Sequence, residues 1–345
     1  MSSYAQEIDI GGAGETASPL RFGALALSGR AFLAPMAGVT DLGMRRAAAR
    51  FGAGLVVSEM VAADYLGDAL CRARLEGAGI FPHVAQICGR DPQQIAAAAR
   101  FAADSGADAI DINMGCPARR VVGGYAGAAL MTEPDLAARL IGAVTAAVAL
   151  PVSVKMRLGW DARVHTAPDL ARRAENEGAA MIIVHGRTRN QFYKGRADWA
   201  ALAAVRAATR LPLVANGDCT SLADAVAMRA ASGADAVMIG RVAVGRPWLV
   251  GEIAAGLAGR TWTPPTAQER AESAAAHLDV LLTSMGTVKG LRHARKHLAA
   301  YADAATADGF GLAPAERARL VQTEASAEAH ALLNLAFAPP RRRAA

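Results

Sequence analysis

A cysteine held between a glycine and a proline is the best candidate for chemistry in this sequence. It lies in Asp111-Ile112-Asn113-Met114-Gly115-Cys116-Pro117, where an apolar run predicts a buried strand and Gly115 and Pro117 then predict a turn. Cys116 is therefore presented on a loop at the carboxyl end of a strand, with the exposure and fixed direction that an acid or a nucleophile needs. The remaining cysteines are predicted to be small buried core residues: Cys71, Cys88 and Cys219.

Seven other short apolar runs recur along the chain, and each of the eight is followed by an alanine-rich stretch with helix signals. Several are too apolar to alternate, which is typical of strands covered on both faces. The pattern predicts an α/β fold with a (β/α)8 TIM barrel over residues 19–258, because an open doubly wound sheet usually stops at about six strands and carries its phosphate glycines after the first. The runs are Phe32 to Met36, Leu55 to Met60, His83 to Cys88, Ala109 to Asn113, Val152 to Arg157, Met181 to His185, Leu213 to Asn216 and Val237 to Arg241.

Local signals between the runs mark the ends of helices. Asp91-Pro92 is a cap followed by proline at the first helical position, and Gly106 closes that helix. Ser221 and Asp224 have the form of a capping box, and Gly233 ends the helix that they begin.

Polar and glycine residues are concentrated at the carboxyl ends of the runs. In a parallel barrel these ends meet at one rim, where the active sites of barrel enzymes lie. We therefore expect one pocket formed by Pro35, Met36, Gln86, Asn113, Cys116, Lys155, Arg157, His185, Asn216, Gly217, Asp218, Gly240 and Arg241.

The seventh and eighth strand ends of such barrels are a common phosphate site, because glycine lets backbone N–H groups approach a dianion. Asn216-Gly217-Asp218 and Gly240-Arg241 suit that use. Taken alone, Gly240-Arg241 is also compatible with an ordinary turn at the rim. Likewise, Lys155 is compatible with a strand-end lysine that reaches solvent, and His185 with a hydrogen-bonded core histidine.

Beyond Trp248 the strand-like runs stop. Thr263-Pro264-Pro265-Thr266 predicts a stiff connector, and the helical periodicity after it predicts a smaller helical domain over residues 266–338. We expect disorder in the polar residues 1–18 and a basic tail at residues 339–345.

Composition limits the class of protein. The chain has 345 residues, of which 53% are hydrophobic, and its longest apolar run, Leu140 to Val154, is broken by Pro151 and too short to cross a bilayer. Four cysteines without C-x-x-C pairing argue against a zinc finger or a disulfide framework and predict a reducing cytoplasmic location. A net charge of +6 permits a polyanionic partner without requiring one.

Six motifs, in this order along the chain, resemble those of the tRNA-dihydrouridine synthases, in particular the DusB branch of that family. The resemblance covers roughly residues 20 to 310. It implies FMN as the cofactor, NADPH or NADH as the reductant and tRNA as the partner. The motifs are Ala34-Pro35-Met36-Ala37-Gly38-Val39-Thr40-Asp41, Asn113-Met114-Gly115-Cys116-Pro117-Ala118, Val154-Lys155-Met156-Arg157, His185-Gly186-Arg187-Thr188-Arg189, Asn216-Gly217-Asp218 and Met238-Ile239-Gly240-Arg241.

The resemblance also implies roles for the pocket residues around a flavin. Ala34, Pro35 and Met36 would lie against its ring, with Gln86 and Lys155 at its polar edge. The chain and the phosphate would be held by His185, Asn216, Gly217, Asp218, Gly240 and Arg241.

A flavin beside one positioned thiol limits the reaction class. A reduced flavin gives hydride to the far carbon of a C=C conjugated to a carbonyl, and the enolate that results must be protonated at the near carbon. For uracil this means hydride to C6 and a proton from Cys116 to C5, which yields 5,6-dihydrouracil. By resemblance, Lys155 and Arg157 would stabilise the enolate oxygen, and Asn113 would recognise the amide edge of the base.

A uracil in folded RNA must leave its stack to reach such a pocket, so cationic surface is expected nearby. The loop Arg187 to Arg196 mixes aromatic residues with the cations Arg187, Arg189 and Lys194. Lys289 to His297 predicts a helix that carries Arg292, Arg295 and Lys296 on neighbouring turns. Either stretch is also compatible with a solvated basic face.

Two further features of these regions concern a possible metal site and a possible lid. His293 and His297 have the i, i+4 spacing of zinc ligands, but no glutamate completes an H-E-x-x-H motif, so no metal is predicted. Val122-Gly123-Gly124-Tyr125, where some relatives carry basic or polar residues, predicts a mobile lid beyond the cysteine loop.

Three functional hypotheses follow. The first is a monomeric FMN-dependent reductase of uridine in tRNA. The second is an FMN barrel that acts on a free pyrimidine or another small enone-like metabolite, although such an enzyme does not need a cationic helical domain. The third is an RNA-binding protein built on an inactive barrel.

Overall fold

Eight parallel strands close into a barrel, which confirms the predicted fold. The computed structural model describes residues 18–124 and 126–339. The ring of strands is closed, because β1 pairs with β8 through Ala31 and Val237 and β2 pairs with β3 through Val56 and His83. The barrel strands are β1 Ala31–Leu33, β2 Leu55–Val57, β3 His83–Cys88, β4 Ala109–Met114, β5 Val152–Arg157, β6 Met181–His185, β7 Leu213–Asn216 and β8 Ala236–Ile239.

Three two-residue strands were not predicted. Arg21–Phe22 and Leu25–Ala26 form an antiparallel hairpin, and Val61–Ala62 pairs in parallel with the end of β3. Gly23, in the hairpin turn, packs against Pro151 and Ala180, which precede β5 and β6. The hairpin therefore covers the amino end of the barrel and leaves the carboxyl end open.

The apolar core has two layers. Side chains that point into the barrel pack with Phe22 and Leu27 from the hairpin side, and a larger layer lies between the strands and the surrounding helices. The inward set includes Phe32, Leu55, Val84, Ala109, Ile183 and Met238. Because both faces of the strands are buried, their sequences show little alternation.

Thirteen helices are described in residues 18–124 and 126–339, and two further segments, Gly127–Thr132 and Arg241–Ala243, are 3₁₀. The predicted ends at Asp91 and Gly233 are observed, because the Asp91 carboxylate accepts from the N–H groups of Gln93 and Gln94 and Gly233 has φ +68°. The helices are α1 Leu42–Arg50, α2 Ala69–Leu75, α3 Pro92–Asp104, α4 Arg119–Gly123, α5 Pro134–Ala147, α6 Ala167–Asn176, α7 Leu202–Ala208, α8 Leu222–Ser232, α9 Trp248–Leu257, α10 Ala267–Met285, α11 Thr287–Ala307, α12 Pro314–Gln322 and α13 Ser326–Ala336.

Helices α10 to α13 follow the proline connector and form an apolar cluster of their own. Thr266 and Glu269 make a reciprocal capping box that starts α10 at the predicted point. Trp248 of α9 belongs to this cluster, and α10 packs on α1, so the helical part lies directly against the barrel.

Some predictions concern residues that the structure does not describe. Residues 1–17 and 340–345 of the two predicted tails, and Tyr125 of the predicted lid, lie outside the described residues. Within the described residues, no helix is both long enough and apolar enough to span a membrane.

Candidate active site

A cavity of about 700 Å³ opens at the carboxyl ends of the barrel strands. All thirteen residues expected to form one pocket line it, together with Ala34 and Arg187. The cavity is also lined by Met60, Val39 and Tyr193, none of which was assigned to the pocket. Their apolar parts form a wall of the cavity, which the polar motifs in the sequence do not predict.

The cysteine loop is held by the side chain of Asn113. The Asn113 Oδ1 accepts from the backbone N–H of Cys116 at 2.9 Å and of Gly115 at 3.2 Å. Its Nδ2 donates to Gln86 Oε1 at 2.9 Å and lies 3.7 Å from Met60 Sδ. Both ends of the amide thus bond to the protein, and Asn113 positions Cys116. Asn113 also lines the cavity, and its recognition of a base stays a prediction.

A buried carboxylate continues this hydrogen-bond chain. Asp111 is fully buried in β4 and accepts from Gln86 Nε2 at 2.7 Å and from Ser153 Oγ at 2.6 Å. Burial raises the pKa of Asp111 to about 6, against the opposing effect of these hydrogen bonds. The amide of Gln86 is thereby oriented with its oxygen toward Asn113. Sequence reasoning gave Asp111 no role, although a charge inside an apolar strand is the signal of such a group.

Arg157 joins the cysteine loop to the loop after β6. Its side chain is 1% exposed; Nε donates to Gly115 O, and Nη1 donates to Thr188 O and Phe192 O, each at 2.8 Å. These three bonds hold both loops in place. Arg157 also lines the cavity, and its contact with substrate stays a prediction.

Lys155 and His185 form the polar floor of the pocket. Lys155 is half-buried in the cavity wall, where its Nζ donates to Asn216 Oδ1 at 3.2 Å and Asn216 Nδ2 donates to Met238 O at 2.7 Å. Burial lowers the pKa of Lys155 to about 8. Burial and the neighbouring cation of Lys155 lower the pKa of His185 well below its usual value, so the imidazole is neutral at pH 7.

Arg187 lies in the pocket wall and not on the outer surface of its loop. It is 2% exposed, and its Nη2 donates to Asp218 Oδ2 and to Gly195 O, both at 2.6 Å. Its Nη1 lies 3.2 Å from His185 Nε2. The guanidinium thus ties the loop after β6 to the loop after β7, and its contact with RNA stays a prediction.

The donor set of the pocket fits an elongated anionic ligand such as FMN. Lys155, Arg187 and Arg241 supply cations, and the glycines after β7 and β8 expose backbone. A Cβ on Gly217, which has φ +120°, would lie 2.8 Å from Ala197 Cβ and 2.9 Å from His185 Cδ2. A Cβ on Gly240 would instead project toward open space with Met36 Sδ at 3.9 Å, which leaves room for a ligand. The volume is in the range of cofactor sites.

The other predicted RNA residues lie on the surface outside the cavity lining. Arg189 stacks on Trp160 and Phe192, with its guanidinium carbon 4.5 and 4.9 Å from the ring centroids. Lys194 is exposed on the same loop. Arg292, Arg295 and Lys296 are exposed on α11.

The loop after β1 connects the pocket to α11. Val39 lines the cavity, and the Asp41 carboxylate two residues later lies 3.3 Å from His297 of α11. The cationic turn of α11 is therefore adjacent to the pocket rim. Of the predicted lid, Gly123 ends the short helix α4 and Gly124 caps it.

Fold and pocket together define the class: a (β/α)8-barrel protein with a cationic pocket at the carboxyl rim, lined by the half-buried loop cysteine Cys116 and by the buried Cys219. Two solved structures share the barrel, a morphinone reductase variant in complex with tetrahydroNAD (TM-score 0.53, 15% identity, 75% of this chain and 94% of that one) and histamine dehydrogenase from Rhizobium sp. 4-9 (TM-score 0.54, 12% identity, 77% and 51%). At these identities the likeness shows the fold alone.

The chain belongs to the dihydrouridine synthase family, whose model matches residues 32–336. It is 50% identical over 279 residues to a probable tRNA-dihydrouridine synthase of Rhizobium leguminosarum bv. phaseoli, and 52% identical over 280 residues to one of Rhodobacter capsulatus; both matches span 80% of this chain and 86% of the relative. It is 46% identical over 287 residues to tRNA-dihydrouridine synthase B of Xanthomonas axonopodis pv. citri, across 82% of this chain and 86% of that protein. The resemblance read from the six motifs is confirmed.

Proposed function

We propose that this protein reduces uridine to 5,6-dihydrouridine in tRNA, with FMN as cofactor and NADPH, or NADH, as reductant. The observation that carries the proposal is the single half-buried thiol of Cys116, held by Asn113 and Arg157 at the wall of a cationic pocket of cofactor size. Membership of the family and the names of the relatives support the substrate. A cytoplasmic location and a monomeric state belong to the same proposal.

The protein groups would divide the work of holding FMN. Ala34, Pro35 and Met36 would contact the ring, and Gln86 would offer it an N–H, since its oxygen is occupied by Asn113. Lys155 would face the polar edge of the ring from the pocket floor. His185, Asn216, Gly217, Asp218, Gly240 and Arg241, with Arg187 behind them, would surround the chain and the phosphate.

When bound and reduced, FMN would supply hydride to C6 of the uracil. The Cys116 thiol donates the proton that C5 requires, and solvent then reprotonates the thiolate. Overall, uridine, NADPH and one proton give dihydrouridine and NADP⁺. The Lys155 cation lies where it would offset negative charge that develops on the pyrimidine carbonyl.

Binding of FMN should weaken as the pH rises through about 8. In the unliganded protein the pKa of Lys155 is lowered to about 8, so above that pH the amine is neutral and must take up a proton to pair with an anionic ligand. We expect the dissociation constant to rise by up to about tenfold per pH unit above pH 8. Fluorescence titrations of FMN between pH 7 and 9.5 would measure it. Lys155→Met should bind more weakly at pH 7 and lose this slope; an identical slope in the variant would exclude Lys155 as its source.

A double charge reversal on α11, Arg292→Glu with Lys296→Glu, should weaken tRNA binding and flatten its salt dependence. Each lost phosphate contact lowers the slope of log K against log salt by about one, so a decrease of about two is expected. Equilibrium binding of unmodified tRNA at four salt concentrations would test this. The matched control is Arg100→Glu with Arg139→Glu, which reverses two exposed charges on α3 and α5. Equal effects of the two pairs would mean that only net charge matters.

The reaction itself is tested with unmodified tRNA, NADPH and the FMN-loaded protein. Dihydrouridine in the recovered tRNA, with matching oxidation of NADPH, is the expected result. Oxidation of NADPH that responds to free uracil and is indifferent to tRNA would favour the metabolite enzyme. A protein that cannot be loaded with FMN would favour an RNA-binding role.

A further inference from the structure

Four titratable side chains with no part in the pocket meet between the barrel and the C-terminal helices. Asp41 caps the amino end of α1, where its Oδ1 accepts from the N–H of Met44 at 3.1 Å. His277 comes from α10, and His293 and His297 come from successive turns of α11. Three segments of the chain thus bring together four side chains that can bind a metal ion.

Three of the four converge on one point. Asp41 Oδ2 lies 3.3 Å from His297 Nε2 and 3.8 Å from His293 Nε2, and one ligand atom from each residue lies within 4.8 Å of the others. A tetrahedral ion with bonds of about 2.0–2.1 Å needs ligand atoms about 3.3–3.4 Å apart. The distance from Asp41 to His297 already matches this value, whereas His293 would have to move closer to the other two ligands on binding an ion.

Apart from Asp41, the histidine nitrogens have few partners in the protein. His297 is 2% exposed; its Nε2 meets only Asp41 Oδ2, at 3.3 Å, and its Nδ1 has no hydrogen-bond partner among the described residues. His293 Nε2 likewise is buried without one. Buried imidazole nitrogens normally have partners, so these lone pairs point to a ligand that the side chains themselves do not supply.

The charge states suit ligation. Burial raises the pKa of Asp41, but contacts with His277 and His297 outweigh that effect and hold it well below its usual value. Burial lowers the pKa of His297 to about 4 and also lowers that of His293. At neutral pH the set is therefore one carboxylate and two neutral imidazoles, the forms that bind metals.

His277 supplies an outer support. Its Nε2 lies 3.0 Å from Asp41 Oδ1 and 3.3 Å from Asp41 Oδ2, and its Nδ1 lies 3.1 Å from the hydroxyl of Tyr301. Partners of this kind orient a ligating carboxylate. The nearby cations Arg45 and Lys296 oppose a metal, while Glu59 favours one. Arg45 is turned away toward the carbonyls of Thr40, Arg74 and Glu76.

We propose that Asp41, His293 and His297 bind a divalent transition-metal ion of the zinc type, which fastens α11 to the loop after β1. The site has three protein ligands and an open fourth position, which water would fill. The absence of a metal was predicted because no H-E-x-x-H glutamate follows His293; here the carboxylate comes from a residue more than 250 positions earlier in the chain. The proposal is independent of the proposed function.

The test uses full-length protein without a histidine tag, stripped with a chelator and dialysed against Zn²⁺. We expect one equivalent of zinc by atomic emission, d–d absorption bands of a tetrahedral site when Co²⁺ is used, and a rise in the thermal midpoint of about 3 °C when zinc is at ~100 times its dissociation constant. His293→Ala and Asp41→Asn should each lose the bound equivalent. Asparagine retains the cap on α1, and His293 is partly exposed, so both variants should fold.

The matched control is His330→Ala on α13, where the imidazole pairs with Asp279 away from the cluster. It should bind one equivalent, as the unaltered protein does. Binding well below one equivalent by the unaltered protein at 100-fold excess of zinc would overturn the proposal, as would equal binding by His293→Ala. FMN content, measured in parallel, reports on the pocket separately.

Discussion

Cys116→Ala should lose tRNA reduction by about 10²- to 10⁴-fold while it keeps its FMN and the reduction of that FMN by NADPH. General acid catalysis by a positioned group contributes on this order, and alanine has no proton to give. The backbone N–H of residue 116 still donates to Asn113, so the loop keeps its shape. Single-turnover reduction of tRNA, followed beside the flavin absorbance, separates the two half-reactions.

The control for this substitution is Cys71→Ala, because Cys71 is buried on α2 and does not line the pocket. It should retain near-normal turnover, apart from a small loss of stability. Full turnover by Cys116→Ala would remove this thiol from the mechanism. Loss of flavin reduction together with tRNA reduction would instead indicate a damaged pocket.

Arg157→Met should destabilise the protein by about 3 kcal/mol and also slow tRNA reduction at least tenfold. An unsatisfied buried polar group costs about 1–3 kcal/mol, and three carbonyls lose their donor; water at the rim of the pocket offsets part of that sum. The cysteine loop loses its tie to the loop after β6, so the thiol samples more positions. Urea unfolding gives the free energy, and kcat with saturating tRNA gives the rate.

Arg163→Met is the matched comparison, because Arg163 is exposed on the loop after β5. Its effect on the free energy of unfolding should stay within about 0.5 kcal/mol. A variant of Arg157 that unfolds like the unaltered protein would show that the three carbonyls find other donors. Normal stability with slow turnover would indicate that Arg157 acts on the substrate directly, as the resemblance implied.

The hydrogen bonds behind Cys116 suggest how the site keeps its geometry. A carboxylate in β4, an amide in β3 and a second amide at the end of β4 form an unbroken chain from the barrel wall to the loop: Asp111, Gln86 and Asn113. A catalytic group on a loop is thus held by side chains rooted in strands. Such support reduces the reorganisation needed when substrate binds.

The barrel could be predicted from the sequence because the patterns that mark its strands and helices are local. Eight apolar runs, caps such as Asp91 and stops such as Gly233 are each set by a few neighbouring residues, and parallel topology then requires the strand ends to meet. The residues of the pocket followed from that one rule. The hairpin that covers the amino end has strands of two residues, too short for any periodicity to be read.

What the sequence alone determined was which residues face the pocket; what the tertiary structure decided was what each of them does there. Residue type and position predict Arg157 and Arg187 as substrate and RNA contacts. In the structure their long side chains also bind carbonyls and a carboxylate of other loops, up to 42 residues away in the chain, and so hold those loops together. Asp41 and His297 lie in contact although most of the sequence separates them. A side chain's type and spacing set its chemical capacity, while its partner is chosen by packing between distant segments, which no local pattern encodes.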